Sequence, residues 1–232
     1  MIASASHLRA FLVARSKYAE DALSEAISRG VHQYVILGAG LDTFSYRNPY
    51  PSELLQVFEV DHPATQAWKR EQLDTEGISI PKSLRFASID FEKEILEDRL
   101  PKAGFKIGVP SFFSWLGVTM YLPSEAVLNT LKSIAKLAAR GSEIVFDYAL
   151  SPSLLGPKAL SSYQARAARV ATAGEPWKSS FEPTILASEL RTIGFTVTED
   201  LDSDGINARF FENRTDELRV GGRAHLIKAT MN

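Results

Sequence analysis

Cysteine is absent from all 232 residues. That excludes disulfides, a thiolate nucleophile and zinc–thiolate sites, and it fits a cytoplasmic protein. Histidine is scarce: His7, His32, His62 and His225 stand far apart, without metal-ligand spacing, so no metal is expected. Charge of one sign is lacking too. With 26 basic and 28 acidic residues the net charge is −2, so nothing draws the chain to nucleic acid or to an anionic membrane. No apolar run approaches the ~18 residues a membrane span needs. A basic stretch leading into an apolar core is also missing from the N-terminus, so no signal peptide is expected.

What is present is an ordinary apolar complement, 45% hydrophobic, enough for one full core. A single domain over 1–232 is expected. Residues 8–27 carry apolar side chains at helical spacing, closed by Gly30. Strands are expected at 33–37, 54–60, 84–89, 111–116 and 143–148. Helices are expected between them, at 64–74 behind Pro63, at 92–99, and from Pro123 to Gly141. This strand–helix alternation is the pattern of a doubly wound parallel sheet. The rhythm breaks over 150–182, which holds Pro152, Gly156, Pro157, Gly174 and Pro176 around one helix at 159–171. Such an insertion is expected to cap the substrate side. A helix at 185–192, a strand from 195, mixed structure at 206–220 and a last strand at 224–229 complete the chain.

The most informative stretch is residues 34–47. An apolar strand, Tyr34–Leu37, runs into Gly38 and Gly40, and the next strand ends in Glu59, Asp61, His62 and Pro63. A glycine loop after one strand and an acid after the next make a nucleotide site: the loop packs against the ligand and the acid takes ribose hydroxyls. Thr43 stands where a dinucleotide fingerprint has its third glycine. A cofactor with ribose but no phosphate, such as S-adenosylmethionine, therefore fits better than a dinucleotide.

Four stretches carry a family likeness: Leu-Gly-Ala-Gly-Leu-Asp-Thr at 37–43, Phe-Glu-Val-Asp-His-Pro at 58–63, Ser-Trp-Leu-Gly-Val-Thr-Met-Tyr-Leu at 114–122, and Gly-Ser-Glu-Ile-Val-Phe-Asp-Tyr at 141–148. With them the chain resembles the leucine carboxyl methyltransferase family, in its bacterial O-methyltransferase branch. The resemblance implies a class I methyltransferase fold, an α/β Rossmann-like architecture with a mostly parallel seven-stranded sheet whose last strand is antiparallel. It implies S-adenosyl-L-methionine as cofactor and a small-molecule substrate. By position, it implies Arg15 at the methionine carboxylate, Gly38, Gly40 and Asp42 beside the cofactor, and Asp61 with Glu59 at the ribose. Asp90 and Phe91 would hold the adenine.

Two departures from the family pattern stand out. Many of its members carry an acid where this chain has Leu116. They also have a longer N-terminus; fourteen residues precede Arg15 here, so a reduced lid, or a start later than theirs, is expected.

Tyr121, Asp147 and Tyr148 are candidates for orienting substrate, and Trp115, Trp177 and Phe181 for lining an aromatic pocket. His62 reads as positional. No catalytic base is evident, which suits a carboxylate or an acidic hydroxyl as methyl acceptor. Two rival readings stand beside this one. An NAD(P)-dependent oxidoreductase is disfavoured by Thr43 and by the lack of a Tyr-x-x-x-Lys pair. A non-catalytic S-adenosylmethionine-binding protein is the other. The sequence leaves the oligomeric state open.

Overall fold

The computed structural model describes residues 2–232. The elements in order are α1 (Ile2–Ser28), β1 (Gln33–Leu37), α2 (Phe44–Arg47), β2 (Gln56–Asp61), α3 (Pro63–Thr75), β3 (Leu84–Ser88), α4 (Leu96–Arg99) and β4 (Phe112–Trp115). There follow α5 (Ser124–Leu137), β5 (Glu143–Ala149), α6 (Pro157–Thr172), α7 (Pro183–Ile193), β6 (Phe195–Leu201), α8 (Ser203–Phe210) and β7 (Ala224–Met231). The seven strands form one sheet in the order β3-β2-β1-β4-β5-β7-β6. Strands β1 to β5 are parallel, and β7 runs antiparallel to both β5 and β6.

Strand β1 is buried along its whole length, as a strand covered on both faces must be. Alternation then sends its side chains to two cores. Val35 and Leu37 join Phe58, Phe113 and Phe146 under Leu131 and Ile134 of α5 and Leu186 of α7. Tyr34 and Ile36 join Val57, Phe112 and Val145 under α1. Helix α1 meets the sheet through Ala10, Phe11, Ala14, Tyr18, Ala22 and Ala26. That helical stripe is rich in alanine, which lets the helix axis lie close to the strands.

Two expectations are adjusted. The helix at 92–99 shrinks to α4, because Asp90 first organises a turn in which its carbonyl accepts from the Lys93 and Glu94 N–H groups. Helix α5 stops at Leu137, and Gly141 instead serves, at φ +83°, in the turn into β5. Strand order reverses between β1 and β4, so the loops leaving these neighbours diverge and open a crevice at their carboxyl ends.

Candidate cofactor and substrate site

Strand β1 delivers Gly38 and Gly40 to that crevice at φ +65° and +44°, a region costly for residues with a Cβ. The N–H groups of Gly38 and Ala39 both donate to the Val60 carbonyl, at 2.7 and 3.1 Å, which folds the loop over the end of β2. The two glycines have different duties. A Cβ on Gly38 would lie 2.3 Å from Val118 Cγ2, so the loop after β4 packs directly against it. A Cβ on Gly40 would meet nothing nearer than 3.9 Å and would project into open space. Asp61, at the end of β2, accepts the Gly40 N–H at 2.5 Å and its neighbour His62 N–H at 2.7 Å. Asp42 closes the loop by accepting from Phe44 N–H at 2.7 Å.

Glu59 is placed differently. It is buried on the α1 side of the sheet, where Lys69 Nζ of α3 donates to it at 2.7 Å. The same ammonium donates to the Asp42 carbonyl at 2.8 Å and lies 5.4 Å from the Tyr46 ring centre. Burial pushes the Glu59 carboxyl above its ordinary pKa, and Lys69 opposes that rise. Of the two acids on β2, Asp61 reaches the crevice, while Glu59 joins a buried pair that ties the glycine loop to α3.

Beyond β3, the Asp90 carboxylate accepts from Glu92 N–H at 3.0 Å and from Lys93 Nζ at 2.8 Å. Lys93 first, then the Glu92 N–H, hold its pKa below the usual carboxylate range. His62 Nε2 lies 4.0 Å away, which places the ends of β2 and β3 side by side. Phe91 packs against the indole of fully buried Trp115, ring centres 5.7 Å apart.

The other flank is built around Asp147. An acid inside an apolar strand needs partners, and it has them. Arg15 Nη1 donates to Oδ2 at 3.2 Å, and Gly117 N–H donates to Oδ1 at 2.5 Å. Complete burial still raises the Asp147 pKa against the pull of Arg15. A Cβ on Gly117 would come within 2.6 Å of the guanidinium, so glycine here lets Arg15 lie flat on the backbone. Asp147 is thus fully buried and supports Arg15 from behind. Tyr148, one residue on, points through the sheet to the opposite face. There its hydroxyl donates to Asp200 at 2.7 Å and stands 3.2 Å from His225 Nδ1.

Arg15 and Gly117 border a cavity of about 670 Å³. Its walls come from α1 (His7, Phe11), the loop after β4 (Met120, Tyr121), the segment 150–182 (Arg166, Trp177) and residues 221–224. The segment is tied over the carboxyl end of β4, where Lys178 N–H donates to the Met120 carbonyl at 2.7 Å and Ser179 Oγ to that of Thr119 at 2.7 Å. Of the three aromatics proposed as lining, Trp177 faces the cavity, whereas Trp115 is core and Phe181 packs edge-on against Tyr148. Sequence reasoning missed Lys69, Arg166 and Arg223, since no local signal pairs residues so far apart in the chain.

The model of the leucine carboxyl methyltransferase family matches residues 1–135, from α1 through most of α5. The chain belongs to the leucine carboxyl methyltransferase family. It is similar to the "Putative S-adenosyl-L-methionine-dependent methyltransferase YktD" of Bacillus subtilis, 41% identical over 94% of this chain and 71% of that protein. A similarly named Saccharopolyspora erythraea protein is 33% identical over 59% of this chain and 47% of its own length. The chain thus spans less than half of that second relative.

Among solved structures, an O-methyltransferase family protein from Burkholderia thailandensis superposes at TM-score 0.59, with 13% identity, over 94% of this chain and 56% of its own. Magnesium protoporphyrin IX methyltransferase from Synechocystis PCC 6803, with bound S-adenosylhomocysteine, gives 0.56 at 12% identity, covering 97% and 86%. These establish the class I methyltransferase fold. As a family member, the chain is an enzyme of the S-adenosylmethionine-dependent methyltransferases, and S-adenosylmethionine is its cofactor. The residues present fit that group: the open space over Gly40 is a cradle that a Cβ would fill, and Asp61 stands at its edge, bound to the Gly40 N–H. The family findings favour methyl transfer over the nicotinamide reading. No helix among the described residues is long and apolar enough to cross a membrane.

Proposed function

We propose that the enzyme methylates an oxygen, a carboxylate or an acidic hydroxyl, on a small or medium organic substrate held in the cavity beneath residues 150–182. The observation that carries this reading is the junction at Gly117. Gly117 lines the 670 Å³ cavity beside Arg15, and its neighbour Val118 packs against Gly38 of the glycine loop, so the cavity adjoins the crevice proposed for the cofactor. When bound, S-adenosylmethionine supplies a methyl group activated on a sulfonium. The chain's own residues then hold and align. Arg15, oriented by Asp147, offers a planar fork of N–H donors to the cofactor's carboxylate. Asp61 accepts from the ribose hydroxyls beside Gly40, Asp42 supports that loop, and Asp90 with Phe91 receives the adenine. Tyr121, in the cavity wall next to Gly117, can orient the acceptor. Such a reaction needs alignment behind the methyl group and exclusion of water more than proton transfer. A carboxylate acceptor is already ionised at neutral pH and needs no base.

The test is calorimetry with S-adenosylhomocysteine, followed by turnover of a panel of organic acids and phenols read as release of S-adenosylhomocysteine. Asp61→Ala should weaken binding by about 1.5–3 kcal/mol through lost charge-assisted hydrogen bonds. Unchanged affinity in a folded variant would remove Asp61 from the site. Methylation confined to nitrogen or carbon acceptors would overturn the oxygen assignment.

A further inference from the structure

The cavity that receives the substrate under this reading is cationic. Three arginines line it, Arg15, Arg166 and Arg223, and among the described residues no carboxylate does. Arg15 is balanced by Asp147 behind the wall. The other two are not balanced: among the described residues neither Arg166 nor Arg223 makes an ion pair with an acid. A guanidinium stays charged under all physiological conditions, so two of them facing one concave space leave a positive field there.

Arg223 is also fixed in place. Its guanidinium lies over the Tyr163 ring at 3.9 Å from the centroid, and its Nη1 donates to the Leu150 carbonyl at 2.7 Å. Tyr163 in turn stacks on Trp177, ring centres 5.5 Å apart and 19° from parallel. Trp177, Tyr163 and Arg223 thus form three layers. Tyr163 and Arg166 are one turn apart on α6 and so share a face, which brings Arg166 to the exposed mouth of the cavity beside Arg223. Burial lowers the Arg223 pKa, Tyr163 opposes the fall, and the like charge of Arg166 adds to it. Both guanidinium groups border the same concave space, where an anion can take donors from each.

We infer that Arg166 and Arg223 form an oxyanion subsite, so that the substrate carries a carboxylate or phosphate group separate from the oxygen that is methylated, on a planar body that lies along Trp177. Layering on an aromatic ring holds the Arg223 donors before the ligand arrives, which lowers the entropic cost of binding. The inference rests on the proposed use of this cavity for substrate, and the following experiment separates the two.

With protein saturated in S-adenosylhomocysteine, calorimetric titrations compare 4-hydroxybenzoate and phenyl phosphate with their neutral counterparts 4-hydroxybenzamide and phenol. The anions should bind at least tenfold tighter, with an affinity that falls as salt rises. Whichever of the two anions binds tighter identifies the group as carboxylate or phosphate. Arg166→Gln, at an exposed position that the fold does not need, should erase most of that preference, and Arg166→Lys should restore part of it. S-adenosylhomocysteine affinity should stay within twofold in both variants. Equal affinity for anions and neutrals, no saturable binding of either anion, or a preference that survives Arg166→Gln would overturn the subsite. Failure of the wild type to bind S-adenosylhomocysteine would instead overturn the cofactor assignment on which the proposed function stands.

Discussion

Arg15 carries two duties that a single substitution separates. It pairs with buried Asp147, and under the proposed function it also meets the carboxylate of the cofactor. Arg15→Ala should therefore weaken S-adenosylhomocysteine while leaving adenosine, which has no carboxylate, nearly untouched; equal losses for both ligands would mean that Arg15 acts through the fold alone. Lys69 offers a cleaner stability test, because its pair with Glu59 is buried at both ends. Lys69→Met strands a carboxylate in the interior and should cost on the order of 3 kcal/mol. Burial has already raised the Glu59 pKa. A carboxyl raised in the folded state favours folding least where it must ionise, so stability falls as pH climbs from the unfolded value, near 4, through the raised folded one. The variant should therefore lose least in acid and most above neutrality, and adding Glu59→Leu should recover much of the loss. A pH-independent deficit in urea melts would contradict this account. That Asp61 ends β2 next to the glycine loop was legible from strand periodicity and the spacing of the two segments. The fate of Glu59, two residues earlier, was not, since nothing local pairs it with a lysine on the following helix.

At the level of elements, the glycine loop is where local sequence and tertiary contact divide the work. Gly38 and Gly40 share a left-handed backbone, so alanine at either should cost about 1 kcal/mol from conformation alone. Their surroundings then separate them. Gly38→Ala adds a collision with the branched side chain of Val118. Its loss of thermal stability should be clearly the larger, and Val118→Ala should partly rescue it. Gly40→Ala meets open space, so it should melt close to the wild type yet bind S-adenosylhomocysteine at least tenfold more weakly. Gly40→Ala with native affinity would show that the cofactor does not lie over this glycine. The Gly-x-Gly spelling announced a loop but could not assign the two roles, because Val118 arrives on the loop after β4, three strands further along the chain.

The whole molecule turns on the strand order. Alternation of apolar strands and amphipathic helices in the sequence was enough to expect a doubly wound sheet, and the seven strands found fall on or within a few residues of the expected segments. The crossover that puts β4 beside β1 has no local signature, yet it sets Gly38 against Val118 and opens the crevice between the two loops. The cavity depends on it still more. It joins residues near positions 7–15, 117–121, 166–177 and 221–224, which have in common only that β5 and β7 lie against one another and that 150–182 folds back over β4.

Local side-chain periodicity and turn chemistry by themselves settled which segments become strands and helices, where the backbone must adopt positive φ, and which acid ends the second strand. These are short-range properties of neighbouring residues. Tertiary structure alone decided that Glu59 pairs inward with Lys69, that Asp147 supports Arg15 while Tyr148 turns to the opposite face, and that Arg166 and Arg223 share one cavity with no carboxylate paired to either among the described residues. Each of those depends on which elements the sheet makes neighbours, and burial gives charge its cost only once that packing exists.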